Sequence, residues 1–375
     1  MAGADEVSRR NFLANVGKAT VAVTAMSSGM SWASESIEAK VARIVEECPG
    51  IDTHNHVDVP LTAAEQPGPE IHLGEELKRS GLAAICMAFA TDYQKGDPYD
   101  RFLKGMDAMD RQLALSQMQR ALSAADLRKA EKQRRPTVIQ AIEGCHFLEG
   151  KLERVELAYS RGMRQIGLLH DSDATPPLGD VYTNPPVFGG LTEFGASVIR
   201  ECNRLGILID LAHADLNTTK AALKVSTAPM FVSHTGLDTR LGSNPRMAEM
   251  MRPRLISREQ AKMIADHGGL VGVWTHLAET PQEFAENVRA MIEVIGVDHV
   301  CIGTDSKLTA PTPRPGETEH KERVGERTSR VWASQTKGFY PTIVEAMLQA
   351  GFHKAEIAKV SGGNFQRIYA TALRG

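Results

Sequence analysis

A chain of 375 residues, 42% hydrophobic and 24% charged, has the make-up of a folded globular protein with one large domain or two ordinary ones. Its net charge of −3 argues against a nucleic-acid or anionic-membrane partner. The five cysteines, Cys48, Cys86, Cys145, Cys202 and Cys301, are far apart and form no CxxC pair. They therefore imply neither a disulfide framework nor a cysteine zinc site.

The N-terminus is set apart from the rest. Ser8-Arg9-Arg10-Asn11-Phe12-Leu13 precedes a weakly apolar Ala/Val run, and Ser31-Trp32-Ala33 offers small residues for cleavage. The order resembles a twin-arginine export signal over residues 1–33, which predicts periplasmic export. The run is too short and interrupted to span a bilayer stably.

Residues 34–375 read as one domain. Short apolar, β-branched runs alternate with helical patterns. The predicted strands are 50–59, 82–91, 137–144, 165–171, 207–214, 229–236, 270–276 and 299–305. Met106, Met109 and Leu113 fall at helical spacing and predict a core stripe. Ser123 and Asp126 read as a capping-box start. Further helices are predicted at 151–162, 191–205, 216–225, 257–268, 281–295, 340–350 and 364–373. Eight β–α alternations with buried strands predict an α/β fold, a (β/α)8 TIM-type barrel. An open doubly wound sheet is the alternative, but no glycine-rich phosphate loop follows the first strand. The Pro/Gly-rich segments 172–190 and 308–328 read as long loops on the face where barrel active sites sit.

The polar residues collect at the C-terminal strand ends. Strand one carries His54 and His56 in "IDTHNHVDV". Residues i and i+2 share a face, so two imidazoles aim at one point. Strand three ends in Glu143, strand four in His170, strand five in His213, strand six in His234 and strand eight in Asp305. Any one of them alone is more often a hydrogen-bonded or capping residue than a ligand. Barrel strand ends converge on one mouth, and seven such placements on six strands make a cluster. His146, His267, His276, His299, His320 and His353 read as structural or surface residues, although His276 ends strand seven. Imidazoles with two carboxylates suit two divalent ions, zinc by default, bridged by one carboxylate. A hydroxide bridging such ions is a nucleophile at neutral pH, because coordination lowers the pKa of water from about 15.7 to about 7. The chemistry that follows is hydrolysis of an amide or ester.

The blocks "AIEGCHFLEG", "LAYSRGMRQIGLLH", "GGLTEFGASVIRECNRLGILIDLAHA", "APMFVSHTG" and "IAKVSGGNFQRIY" resemble those of the renal (membrane) dipeptidases and their bacterial relatives, in the amidohydrolase superfamily. The resemblance implies a binuclear zinc barrel that hydrolyses dipeptides. It makes Glu143 the carboxylate shared by both metals and His213 and His234 ligands of the second metal. His54 and His56 take the strand-one positions of the first metal. Asp305 becomes the acid–base residue beside that metal, and His170 a contact to the substrate carbonyl. Arg254 in "RPRLIS" becomes the partner of a substrate carboxylate, with Arg252 and Arg246 close by. The chain departs from the family in two places. His54-Asn55-His56 stands where the family usually has His-x-Asp, and Asp305-Ser306-Lys307-Leu308 where it usually has Asp-Phe-Asp-Gly. Lys307 thereby brings a positive charge near the expected position of the substrate amine. The readings that follow are a dipeptidase, a sister hydrolase acting on another amide, ester or lactam such as an N-acyl amino acid or secondary metabolite, and a non-hydrolytic metal-binding maturation protein. The expected partners are a small dipeptide-like substrate, the twin-arginine export machinery and a second copy of the chain in a homodimer. No nucleic acid and no stable membrane span are expected.

Overall fold

The computed structural model describes residues 35–93, 96–309, 327–332 and 334–373. The export-signal segment, most of 308–328 and His320 lie outside the described residues. The chain divides into Met1–Lys40 and Val41–Gly375, and everything below concerns the second unit. No described helix is long and apolar enough to cross a membrane.

Eight strands form the barrel: β1 (Ile51–His56), β2 (Ala84–Ala88), β3 (Thr137–Ile142), β4 (Met163–Gly167), β5 (Leu208–Asp210), β6 (Val232–Thr235), β7 (Val271–Val273) and β8 (Val300–Ile302). A two-residue strand, β9 (Ser306–Lys307), pairs with the end of β1. The pairing order is β5-β4-β3-β2-β1-β8-β7-β6, every pair parallel. The circle closes at β5–β6. There Leu211 N donates to Phe231 O (2.7 Å) and Phe231 N to Ile209 O (3.2 Å). The expected (β/α)8 barrel is the observed one, with shorter strands than the apolar runs suggested.

The strands are buried on both faces, which explains their continuous apolar character. The crossover helices start where side chains satisfy their free amides. Ser123, Thr192, Asp215, Ser257 and Thr280 each accept from the amide three residues on. Each such cap contributes about 1 kcal/mol. The expected capping box is present only in its Ser123 half: Asp126 accepts from Ser123 Oγ and the Leu122 amide rather than from the Ser123 amide. Met106, Met109 and Leu113 lie on helix Pro98–Leu115 and are buried in the core, as their spacing predicted.

The barrel interior is partly polar. Thr53 Oγ1 lies 2.9 Å from Ser233 O and 3.0 Å from Ile302 O, linking β1 to β6 and β8. Gly272 on β7 and Gly303 just past β8 face the same Ser233 carbonyl. A Cβ there would lie 1.9 Å and 1.7 Å from it, so only glycine fits. Asp52, beneath His54, accepts from Thr304 N (2.8 Å), Thr304 Oγ1 (2.6 Å) and Asn55 Nδ2 (2.9 Å). Burial raises its carboxyl to about 6, and these bonds fix β1 against the segment after β8.

Candidate metal centre and active site

All seven strand-end residues named from the sequence meet at the C-terminal mouth. Glu143 is their centre. Its Oε1 lies 3.0 Å from His213 Nε2 and 3.5 Å from both His54 Nε2 and His234 Nε2. Its Oε2 lies 3.2 Å from His170 Nε2 and 3.6 Å from His56 Nε2. The ring nitrogens of His54 and His56 approach to 3.2 Å, and so do those of His213 and His234. Asp305 Oδ1 is 3.2 Å from His56 Nε2 and 3.9 Å from His54 Nε2. Asn55, between the two imidazoles of β1, turns instead to Asp52.

His54, His56 and His234 sit inside their strands, and the other four lie beyond them. Glu143 follows β3 directly, while His170, His213 and Asp305 come three residues after β4, β5 and β8. The reason is local backbone geometry. His213 has φ 69° and Asp305 φ 52°, the left-handed region, which strand residues do not adopt. Such conformations cost about 1–3 kcal/mol for a non-glycine residue. Gly144 (φ 79°) makes the turn after Glu143, where a Cβ would crowd His146 and His170 at 2.8 and 2.9 Å.

Among the described residues three groups of donors could each hold an ion: His54, His56 and Glu143; His54, His234 and Asp305; Glu143, His170 and His213. The residues fit a zinc-class ion. Four donors about 2.0–2.1 Å from such an ion lie roughly 3.3 Å apart at the corners of a tetrahedron. The separations of 3.0–3.6 Å within the cluster match that spacing. The outer ring nitrogens are held as metal-binding histidines require. His213 Nδ1 faces Asp171 Oδ1 (3.1 Å), and His170 Nδ1 faces Asp92 Oδ1 (2.7 Å). His54 and His234 turn theirs to Ser233.

The charges show the same demand for cations. Burial works against charge on Glu143, but His170, His54 and His213 outweigh it and hold the carboxyl well below its usual range. Asp305 is likewise held low against burial by His234, His276 and His56. Burial lowers His213, yet Asp171 and Glu143 outweigh it and raise the ring to about 10. For His54 burial prevails and pushes the ring well below its usual range. Burial, the largest influence on His234, lowers that ring too.

The structure adds residues that the sequence reading passed over. Asp92 and Tyr93 come from the segment after β2, a strand end with no assigned residue. Tyr93 Oη lies 2.9 Å from His170 Nε2. Asp171 follows His170 directly in "LLHD" and pairs through Oδ2 with Arg254 (2.6 Å). His276, read as structural, stands at the mouth with Nε2 2.9 Å from Asp305 Oδ2. Asp92, Asp171 and His276 follow the same strand-end rule that revealed the others. Tyr182, on the loop after β4, stacks on His213 at 5.3 Å. Its buried hydroxyl has no protein partner.

Arg254 is the half-buried member of its arginine group, whereas Arg252 and Arg246 are exposed. Lys307 corrects an expectation. Its ammonium pairs with Asp58 at 2.8 Å, so its charge is already matched by a neighbouring carboxylate. His146 is structural, as expected, with Nε2 2.9 Å from Ser172 O.

Comparison with known proteins agrees with this geometry. A dipeptidase of Aspergillus oryzae, the aclJ protein, is 23% identical over 232 residues, 60% of this chain. The chain spans about half of that curated relative, 49% of its length. An amidohydrolase of Pseudomonas aeruginosa superposes with a TM-score of 0.72 at 22% identity, covering 89% of this chain and 99% of the other. A metallopeptidase of Rhodobacter sphaeroides, solved with a phosphinate mimic of the dipeptide L-Ala-D-Ala, gives 0.62 at 19% identity over 87% and 99%. These likenesses show the shared barrel. The family model for the membrane dipeptidases matches residues 38–321, and the chain therefore belongs to the membrane dipeptidase family, peptidase family M19.

Proposed function

We propose that the protein is a metal-dependent hydrolase of dipeptides or dipeptide-like amides, with two divalent ions, zinc by default, at the barrel mouth. The observation that carries this reading is the central place of Glu143: one carboxylate in reach of five imidazoles, His54, His213 and His234 at Oε1 and His56 and His170 at Oε2. In this reading His54, His56 and Asp305 hold one ion, His213 and His234 the other, and Glu143 both. A bound pair of such ions supplies Lewis acidity and activates water at neutral pH. Asp305, ionised and held by His276, takes a proton from the attacking water and returns it to the leaving amine. His170, oriented by Asp92, contacts the substrate carbonyl and the oxyanion formed there. Arg254 receives the substrate carboxylate, and the Tyr182 hydroxyl, stacked on His213 and without a protein partner, is left for the substrate.

A second reading rests on His56. With an imidazole where the family usually carries an aspartate, the first half of the site has one negative charge fewer to offer a protonated amine. That favours an N-blocked amide or another amide, ester or lactam. Turnover of zinc-loaded protein on matched free and N-acylated dipeptides separates the two. A requirement for the free amine supports the dipeptidase, and a preference for the blocked form the sister hydrolase. Two bound equivalents of metal without turnover on either would leave a metal-binding maturation role. We also propose periplasmic export on the strength of Arg9-Arg10 and the run that follows. Recovery of the protein only from the cytoplasmic fraction, with residues 1–33 intact, would refute export.

A further inference from the structure

A histidine that offers Nε2 to a metal needs a partner on Nδ1 to fix its tautomer. His213 has Asp171 and His170 has Asp92. His54 and His234 belong to different halves of the site, yet both turn to one group. Ser233 Oγ lies 3.3 Å from His54 Nδ1 and 2.9 Å from His234 Nδ1. The two rings pack with centroids 4.0 Å apart, 44° from parallel. Ser233 itself is fully buried.

A hydroxyl has two lone pairs and one proton. Two Nδ1–H donors fill the lone pairs, and the Asp210 carboxylate stands on the same serine, accepting from its amide. That carboxylate is fixed in turn by the amides of Ala212 and Ser233, each 2.9 Å away. Nor can the serine backbone drift. Its carbonyl accepts from Thr53 and fills the space left by Gly272 and Gly303.

We propose that Ser233 is a positioning residue shared by both halves of the metal centre. Its hydroxyl holds His54 and His234 in the same tautomer, protonated on Nδ1, so that both Nε2 lone pairs face the ions. The proposal rests on the metal-centre reading above and adds a coupling. The two halves share one tautomer lock, so loosening it weakens both ions together.

Histidine side-chain nitrogen NMR of the full chain, as purified and after chelator treatment, tests the lock directly. Both His54 and His234 should carry their proton on Nδ1. This result is independent of any turnover, so it can hold even if the hydrolase reading fails. Ser233→Ala should mix the tautomers of both rings and weaken both zinc equivalents about ten- to hundred-fold in chelator competition. Ser233→Thr, which keeps a hydroxyl, should restore binding close to that of the unaltered protein. An Nε2-protonated ring in the unaltered chelator-treated protein overturns the proposal, whatever the variants do. So does a loss confined to one equivalent in a Ser233→Ala protein whose thermal unfolding matches that of Ser233→Thr.

Discussion

The two halves of the site are built differently. On one side, His213, His234 and Glu143 are almost wholly enclosed, their side chains 5%, 1% and 4% exposed. Behind His213 runs a chain of fixed charges, from Asp171 to Arg254. On the other side His54 is enclosed as well, at 2%, but His56 and Asp305 are each 22% exposed, and Asp305 touches His56 and His276. The enclosed half is suited to holding an ion tightly, and the open half to admitting substrate and moving protons. The difference teaches where variation can enter. The departure from the family's usual motif, His56, lies on the open side.

Glu143→Gln should have the largest effect, because Glu143 is the group common to both halves. The substitution keeps the shape and removes the anion, so turnover and at least one equivalent of metal should be lost. Metal analysis that finds two equivalents and intact turnover would dissolve the comparison. Asp171→Asn should strike the enclosed half alone. It loosens the hold on His213, and one equivalent should bind about ten- to hundred-fold more weakly while the other is unchanged. Stepwise chelator competition reads both constants.

Arg254→Ala should leave the metal in place and raise KM about ten-fold or more, since a charge-assisted pair with a carboxylate is worth about 1.5–3 kcal/mol. The defect should fade on substrates whose carboxylate is amidated. If Arg252→Ala gives it instead, the assignment moves to that residue. On the open half, His56→Asp should keep the fold, shift preference toward oxygen-loving ions such as manganese, and improve free-amine dipeptides relative to N-blocked ones. Metal titration with paired kinetics decides; no change in either would take His56 out of the coordination set.

The smallest effect belongs to Asp180, which organises the loop carrying Tyr182. Its carboxylate accepts from the amides of Val187 (2.6 Å), Phe188 (2.8 Å) and Gly190 (2.6 Å). Burial works against the charge, but these amides outweigh it and hold the carboxyl below its usual range. A depressed carboxyl stabilises the fold above its unfolded pKa and loses that contribution as pH falls through the folded value. Asp180→Asn should therefore lower Tm by about 2 °C at pH 7. The gap should close as the pH falls below the usual carboxylate range and through the lowered pKa of Asp180. A gap that persists in acid would mean the charge is not what holds the loop.

Much of this was legible in the chain. The period of apolar runs gave the barrel, because parallel strands buried on both faces must be apolar throughout. His54, His56, Glu143, His170, His213, His234 and Asp305 could be found because the barrel gathers its strand ends. Asp171 and Asp92 follow the same rule. They were missed because an acidic residue after a strand is most often a helix cap or a surface charge, and only the distance to a histidine tells otherwise. Ser233 stood inside the block "APMFVSHTG" with no role assigned to it, and Tyr182 carried no signal. A serine and a tyrosine are common everywhere, and their importance lies in contacts from strands far apart in sequence. Lys307 was misjudged because a charge in sequence does not reveal its partner, here Asp58.

The Ser233 carbonyl, wedged against Gly272 and Gly303, changes how tolerance to variation should be read in this protein. A saturation library would show a column of intolerance at each glycine as deep as that at Glu143, although neither has a side chain to offer a substrate. A scan of that kind, interpreted alone, would enrol both as catalytic. Sorting the failures by what they still bind would separate them: a chain that folds and misplaces an ion fails at the mouth, and one that never closes its barrel fails at the floor.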